Sequence, residues 1–419
     1  MDQTARSQTG VRAIPRWEFI TLTAALMALN SLAIDIMLPG LQQIGASLGV
    51  IDDNHRQYVI TAYILGFGLA QLFFGPVSDR FGRRSPLILG ILIYVAACGA
   101  AALSPTFAML LLCRFVQGVG AAATRVIAVS IVRDVFDGRR MAEVMSLIFM
   151  VFMALPIVAP SIGQFIMLFA TWHYIFVSMS VGALIIGVWA IFRLPETLHP
   201  EDRRALSAEA VLGGFRIVLT NRVALCYTLA STFIYGTMFG FVNSAQQIYI
   251  DVYHVGDAFP IIFAGGASMI AVSNFLNSRL VGKIGMRRLS QAALLLFLAI
   301  SAVWLALSLL MPISLTLFII IFTCAMVPFG ALGANFNALA MEPLGHIAGT
   351  ASSVLGFAQT FFGGILGTIV GQSFNGTVTP LSVGFCLLSL GALGSILIAE
   401  NGKLFSQHNP PVESLAWSE

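Results

Sequence analysis

Apolar runs of about 20 residues recur along the whole chain, divided by short polar turns, and that recurrence leaves few folds open. They fall at about 17–42, 56–77, 86–103, 107–131, 144–168, 174–193, 222–247, 258–281, 289–311, 314–340, 347–371 and 380–400. Runs of this length are read as membrane-spanning helices, twelve in all. The expected fold class is an all-α membrane protein with 12 transmembrane helices. Charged residues make up 10% of the chain, against about 25% in soluble domains, so the lipid bilayer is its first partner. The one sustained polar interval, 194–221, carries Glu196, Glu201, Asp202, Arg203, Arg204 and Glu209. It is too short for a catalytic domain and reads as a solvated hinge between two bundles.

Basic residues fix the orientation, because positive loops stay in the cytoplasm. Arg6, Arg12 and Arg16 precede the first span, Arg80, Arg83 and Arg84 follow the second, and Arg133, Arg139 and Arg140 follow the fourth. Arg193, Arg203, Arg204, Arg216 and Arg222 surround the central interval. Arg279, Lys283, Arg287 and Arg288 follow the eighth span, and Lys403 follows the last. The opposite loops hold Arg56 alone, and the turn 341–346 is silent. Both termini are therefore expected inside. The polar Met1–Arg16 segment has no cleavage site ahead of a short apolar core and does not read as a signal peptide.

The chain also repeats itself. Gly75-Pro-Val-Ser-Asp79-Arg80-Phe-Gly82-Arg83-Arg84 returns in worn form as Ser278-Arg279-Leu-Val-Gly282-Lys283-Ile-Gly285-Met-Arg287-Arg288, with Gly285 lying 203 residues after Gly82 (285 − 82). Two halves in the same order mean a duplicated membrane unit. The expected domains are an N-terminal six-helix bundle (1–200), a cytoplasmic linker (201–221) and a C-terminal six-helix bundle with a short cytoplasmic tail (222–419).

Other chemistries lack their residues. The five cysteines, Cys98, Cys113, Cys226, Cys324 and Cys386, fall inside apolar runs with no metal spacing. The histidines are scattered and mark no metal site, no nucleotide-cradling loop of the GxxxxGK[ST] kind occurs, and there is no basic face for nucleic acid. An enzyme is not expected, nor a cofactor; a proton gradient would supply the energy.

Three groups of residues carry the functional reading. In the loop 75–84, Gly75 and Gly82 permit a tight turn, and Asp79 can pair with Arg83 or cap a helix N-terminus. Together with Arg80 and Arg84 they make a latch, although a basic loop that only sets topology would look similar. Pro156, Pro160 and Gly163 in the fifth span offer a place to bend. Charges inside spans are costly and mark pathways: Asp35, Arg114 and Arg125 qualify. Asp35 and Arg114 sit at matching depth, so the carboxylate would exchange a proton and Arg114 would tune it; a static ion pair is the alternative. Arg125 lies about 16 Å further along the same helix face with no acid at its level. Finally, Asn30, Tyr63, Tyr235, Asn243, Gln246, Gln247, Asn274, Asn335, Asn337 and Gln359 are polar groups within spans rich in Phe and Met, which suits a pocket for amphiphilic ligands. Such amides also serve as glue between helices. The excess of one positive charge over Asp35 favours neutral, zwitterionic or anionic substrates over lipophilic cations.

These motifs resemble the major facilitator superfamily. The loop at Gly75–Arg84 follows its signature between helices 2 and 3, and Arg114-Phe-Val-Gln117-Gly118-Val-Gly120 follows its helix 4 motif. Ala154-Leu-Pro156-Ile-Val-Ala159-Pro160-Ser-Ile-Gly163 is similar to the helix 5 motif of its drug:proton antiporter branch, with Ala159 and Gln164 where glycine is usual. Ile34-Asp35-Ile-Met-Leu38-Pro39, Arg133-Asp134-Val-Phe, Trp172-His173-Tyr174-Ile-Phe176, Pro195-Glu196-Thr197 and Ala348-Gly349-Thr350-Ala351-Ser352-Ser353 resemble the bicyclomycin/chloramphenicol-florfenicol resistance (Bcr/CflA) group. The resemblance implies a proton-coupled exporter of small amphiphilic molecules or drugs in a bacterial inner membrane, monomeric and working by alternating access. A dedicated metabolite transporter (amino acid or siderophore export, or proton symport) and a non-transporting membrane receptor are the alternatives.

Overall fold

The protein is described from a computed structural model over residues 14–136, 138–203 and 208–405. Arg6, Arg12, Arg204 and the tail beyond 405, which bear on the expected orientation and linker, lie outside the described residues. Among those described, the regular elements are all helical. They are α1 (Arg16–Asp35), the short α2 (Leu41–Ser47), α3 (Tyr58–Phe81), α4 (Arg84–Ala102), α5 (Phe107–Val135), α6 (Gly138–Phe169) and α7 (His173–Arg193). Next come α8 (Ala208–Thr220), α9 (Arg222–Gln246), α10 (Phe259–Ile284), α11 (Met286–Leu310) and α12 (Leu315–Met341). The last are α13 (Ala348–Phe357), α14 (Gly363–Gln372) and α15 (Thr379–Ala399).

Each expected span coincides with a helix, the eleventh being α13 and α14 joined by a π-helical turn at Ala358–Phe362. Eleven are long and apolar enough to cross a membrane, and α6 contributes the shorter apolar stretch Ala154–Phe169. α6 runs unbroken through Pro156 and Pro160. Gly163 packs on the backbone of Ile36, where a Cβ would collide with the carbonyl.

The chain forms two compact units. The first comprises residues 1–213 and 242–264. Within it α5 packs against α3 and α4, and α1 against α5, α6 and α7. Helices in lipid gain little from apolar burial, so they associate by close backbone approach over small residues. α5 supplies these: a Cβ on Gly118 would strike the backbone of Tyr63 and Phe67, and one on Gly120 would strike Gly90 and Tyr94. The motif Gly118-Val-Gly120 is thus a packing surface.

The second unit comprises residues 214–241 and 265–419. Here α11 packs on α12 and α15. Aromatic rings fill the contact: Trp304 meets Phe318 and Phe385, and Phe297 stacks on Phe385 at 5.6 Å. The polar central interval differs from the solvated hinge expected of it. Residues 208–220 form α8, and its Val218 is buried with Ala224, Leu344, Ala351 and Val354, flanked by Phe215, Ile217 and Met341. Phe215 and Val218, three residues apart, share the packed face of that helix, which the run of charges at 196–209 conceals in a composition reading.

Candidate functional site

The turn between α3 and α4 is built around Gly82, whose φ of 90° an L side chain resists. A Cβ there would also meet the Glu196 carboxylate. Glu196 accepts from the backbone N–H of Arg83 at 2.7 Å and of Arg84 at 3.1 Å, capping the start of α4. Asp79 therefore does not cap a helix. It pairs with Arg83 at 2.5 Å, and Arg83 also binds Asp134 at 2.8 Å and the Ser78 hydroxyl at 2.8 Å. Burial alone would lower the pKa of the Arg83 guanidinium; its hydrogen bonds to Asp134 and Asp79 outweigh that and raise it. Thr197 donates to Asp134, Gly75 accepts from Ser78, and Arg84 donates to the Ile191 carbonyl at 2.5 Å. Arg80 is exposed over the Phe81 ring.

The second copy keeps the turn and moves the charge. Gly285 has φ 87°. Arg287, aligned with Arg84, pairs with Glu342 at 3.0 Å and Glu400 at 3.4 Å, and Tyr227 donates to Glu400 at 2.7 Å. Glu342 is thus an ion-pair partner at a helix end. Glu18 is likewise held at the Arg-rich end of α1, by Arg193 at 2.5 Å and the Trp189 indole.

Inside the first unit, Asp35 is 6% exposed at the end of α1 and accepts from the Ser31 hydroxyl at 3.4 Å. Its pairing with Arg114 does not occur. Arg114, fully buried, donates to the carbonyls of Val59 and Ala33, each at 3.0 Å, and to Gln117 at 2.6 Å. Its guanidinium lies 4.6 Å from the Tyr63 ring centre and 5.9 Å from that of Phe176. Matching depth brought the arginine to the right helices, but a planar five-donor fork satisfies backbone carbonyls as readily as a carboxylate. Arg114 thus ties α1, α3 and α5 together and touches the Asp35 helix two residues before the carboxylate. Tyr63 is fully buried, donates to Asn30 at 2.9 Å, and lies within electrostatic reach of Arg114, Arg125 and Asp35. Arg125 is half-buried near the Phe67 ring and has no ion-pair partner among the described residues.

The amides divide by unit. In the second, Asn335 pairs with Asn277 at 2.9 Å, and Gln359 binds Ser231 at 2.8 Å and Asn337. These are glue between helices. Tyr235 is half-buried beside Phe239. In the first unit, Asn243 and Gln246 are each 1% exposed. Neither amide atom of Asn243 and no partner for the Gln246 amide nitrogen forms a hydrogen bond among the described residues. Buried amides left unbonded are costly and call for a ligand or water.

Twelve spans, a duplicated basic turn and a charged core in the first half narrow the comparison with known proteins. A sequence profile described as the Major Facilitator Superfamily matches residues 20–368. The chain belongs to the major facilitator superfamily. It is 31% identical over 373 residues to a bicyclomycin resistance protein homolog of Haemophilus influenzae, covering 88% of this chain and 93% of that one. It is 30% identical over 410 residues to the multidrug resistance protein MdtL of Salmonella typhimurium, covering 94% and 99%. An uncharacterized MFS-type transporter of Bacillus subtilis, YdgK, is 35% identical over 379 residues, covering 90% and 93%. Among solved structures, an inward-facing, occupied bacterial homolog of the lysosomal transporter Spinster superposes with TM-score 0.67 at 16% identity, covering 93% and 96%. The human organic anion transporter MFSD10 superposes at 0.64 and 16% identity, covering 92% and 100%. As a superfamily member the chain is a multi-pass membrane transporter of small molecules rather than an enzyme.

Three residues of the superfamily turn escaped sequence reasoning as functional groups: Asp134, Glu196 and Thr197. Each stood in a short motif, but Asp134 and Glu196 lie 51 and 113 positions from Arg83. The only local hint for Glu196 is its place after Pro195, where a helix must stop.

Proposed function

We propose that this transporter exports small amphiphilic molecules, drugs among them, from a bacterium across the inner membrane in exchange for protons. Both termini face the cytoplasm in this reading, and alternating access comes from rocking the two repeats, residues 1–200 and 222–419, about the linker 201–221. The carrying observation is Asp35: a carboxyl group 6% exposed within a span, bonded to a hydroxyl and with no ion-pair partner among the described residues. Packing gains nothing from such a group, and an ionisable side chain at that depth marks a proton or ion path. Arg114 positions α1 through the Ala33 carbonyl. Asn243 and Gln246 supply unspent hydrogen-bonding groups for substrate. The names of the Haemophilus and Salmonella relatives support the drug class. Arg125, uncompensated, selects against lipophilic cations.

Reconstitution in liposomes with an imposed pH gradient tests this. Asp35→Asn should abolish gradient-driven transport while substrate exchange continues; undiminished uphill transport would remove Asp35 from the mechanism. Arg125→Ala should widen acceptance toward cations. If lipophilic cations are exported best and Arg125→Ala leaves selectivity unchanged, the charge argument fails.

A further inference from the structure

Residues 242–264 belong by duplication to the second repeat, yet they pack as part of the first compact unit. The chain enters this strap between Phe241 and Val242 on α9 and leaves it between Ala264 and Gly265 on α10. Gly265 and Gly266 stand together at that exit, a pairing at which helices bend. Within the strap α9 gives way to a π-helical turn, Gln247–Val252. His254 and Gly256, with φ of 51° and 53°, then turn the chain toward α10.

The strap is fastened by polar bonds. Arg56 is 5% exposed, pairs with Asp251 at 3.3 Å and with Asp53 at 2.7 Å, and its stem lies where a side chain on Gly45 would have to go. Gln247 donates to Asn54 at 2.8 Å and accepts from Gln57. Gln164 on α6 donates to Asp257 at 3.0 Å. Arg56 is the one basic residue of the loops opposite the Arg-rich side, so topology does not account for it. The side chains of Asp251 and Asp53 are 27% and 72% exposed, so once the strap lifts water can take over these bonds, whereas broken apolar packing has no such substitute partner. Asn243 and the amide nitrogen of Gln246, without hydrogen bonds among the described residues, ride on the strap itself.

We propose that Arg56 and Asp251 are positioning residues of the transport cycle, the lock of an outer strap that holds Asn243 and Gln246 in place and releases them when substrate departs outward. This rests on the export reading, and the test separates the two. In full-length protein with its five cysteines replaced by serine, Asn54→Cys with Gln247→Cys is joined by a short thiosulfonate cross-linker. The cross-link should stop flux, and a reductant should restore it; full flux while cross-linked overturns the lock and leaves the exporter standing. A second readout needs neither substrate nor gradient. Gln247→Cys alone should react slowly with a membrane-impermeant maleimide added outside, and Arg56→Asp should speed that reaction about tenfold. Adding Asp251→Arg to Arg56→Asp should return both labelling and flux toward the parent. Labelling indifferent to Arg56→Asp, with no rescue by the double variant, makes the pair a static contact and overturns the proposal. Labelling that responds in a protein without gradient-driven flux keeps the lock and overturns proton-driven export.

Discussion

The two glycine turns, one per repeat, share a backbone and differ in their charges. Gly82 and Gly285 have φ of 90° and 87°, so the conformation that reverses the chain between two spans is common to both. Around Gly82 the anchor is Arg83, held by Asp79 and Asp134, with Glu196 on the amides of the next helix. Around Gly285 the anchor is Arg287, one position further along, held by Glu342 and Glu400. Backbone geometry is a local constraint that only glycine satisfies cheaply. Charge pairing is a tertiary constraint that several residues can meet from different helices, so it drifts.

Removing each anchor should break the comparison most. Arg83→Ala leaves Asp134, whose side chain is 15% exposed, beside Asp79 without a counter-charge, and should cost about 3 kcal/mol of stability. Arg287→Ala should cost less, about 1–2 kcal/mol, because its contacts are longer, 3.0 and 3.4 Å against 2.5 and 2.8 Å, and Tyr227 still donates to Glu400. Thermal unfolding in detergent ranks the pair, and equal losses would make the two anchors equivalent. Alanine at either glycine comes next. Both substitutions carry the strain of a positive φ, about 1–2 kcal/mol, and Gly82→Ala also displaces the Glu196 cap, adding about 1 kcal/mol. A Gly285→Ala loss as large as that of Gly82→Ala would deny the cap its role. Glu196→Gln should have the smallest effect: it keeps an acceptor for the Arg83 and Arg84 amides but gives up the charge, about 0.5–1 kcal/mol. That difference should shrink in high salt; a salt-independent loss would point to packing.

Much of the architecture was legible beforehand because it rests on a local, additive quantity. Apolar length alone placed the spanning helices, most ends within a few residues, though it missed α8, and the repeated glycine turn aligned the halves. The site was legible in part. Asp35, Arg114 and Arg125 stand out because charge in a span is expensive wherever the neighbours are. Their partners do not stand out: Arg114 chose the carbonyls of Val59 and Ala33 over Asp35, and nothing in residue type separates those acceptors. The same holds for the amides. Asn335 and Asn243 read alike in sequence, yet one is paired with Asn277 and the other has no hydrogen-bond partner among the described residues.

By itself, then, the sequence determined the spans, the duplication and the list of costly buried groups, since solvation by lipid is decided residue by residue. Only the tertiary structure decided who bonds to whom. Hydrogen bonds and ion pairs depend on distances of a few ångström between helices far apart in the chain, and on which of the competing acceptors the fold brings within reach.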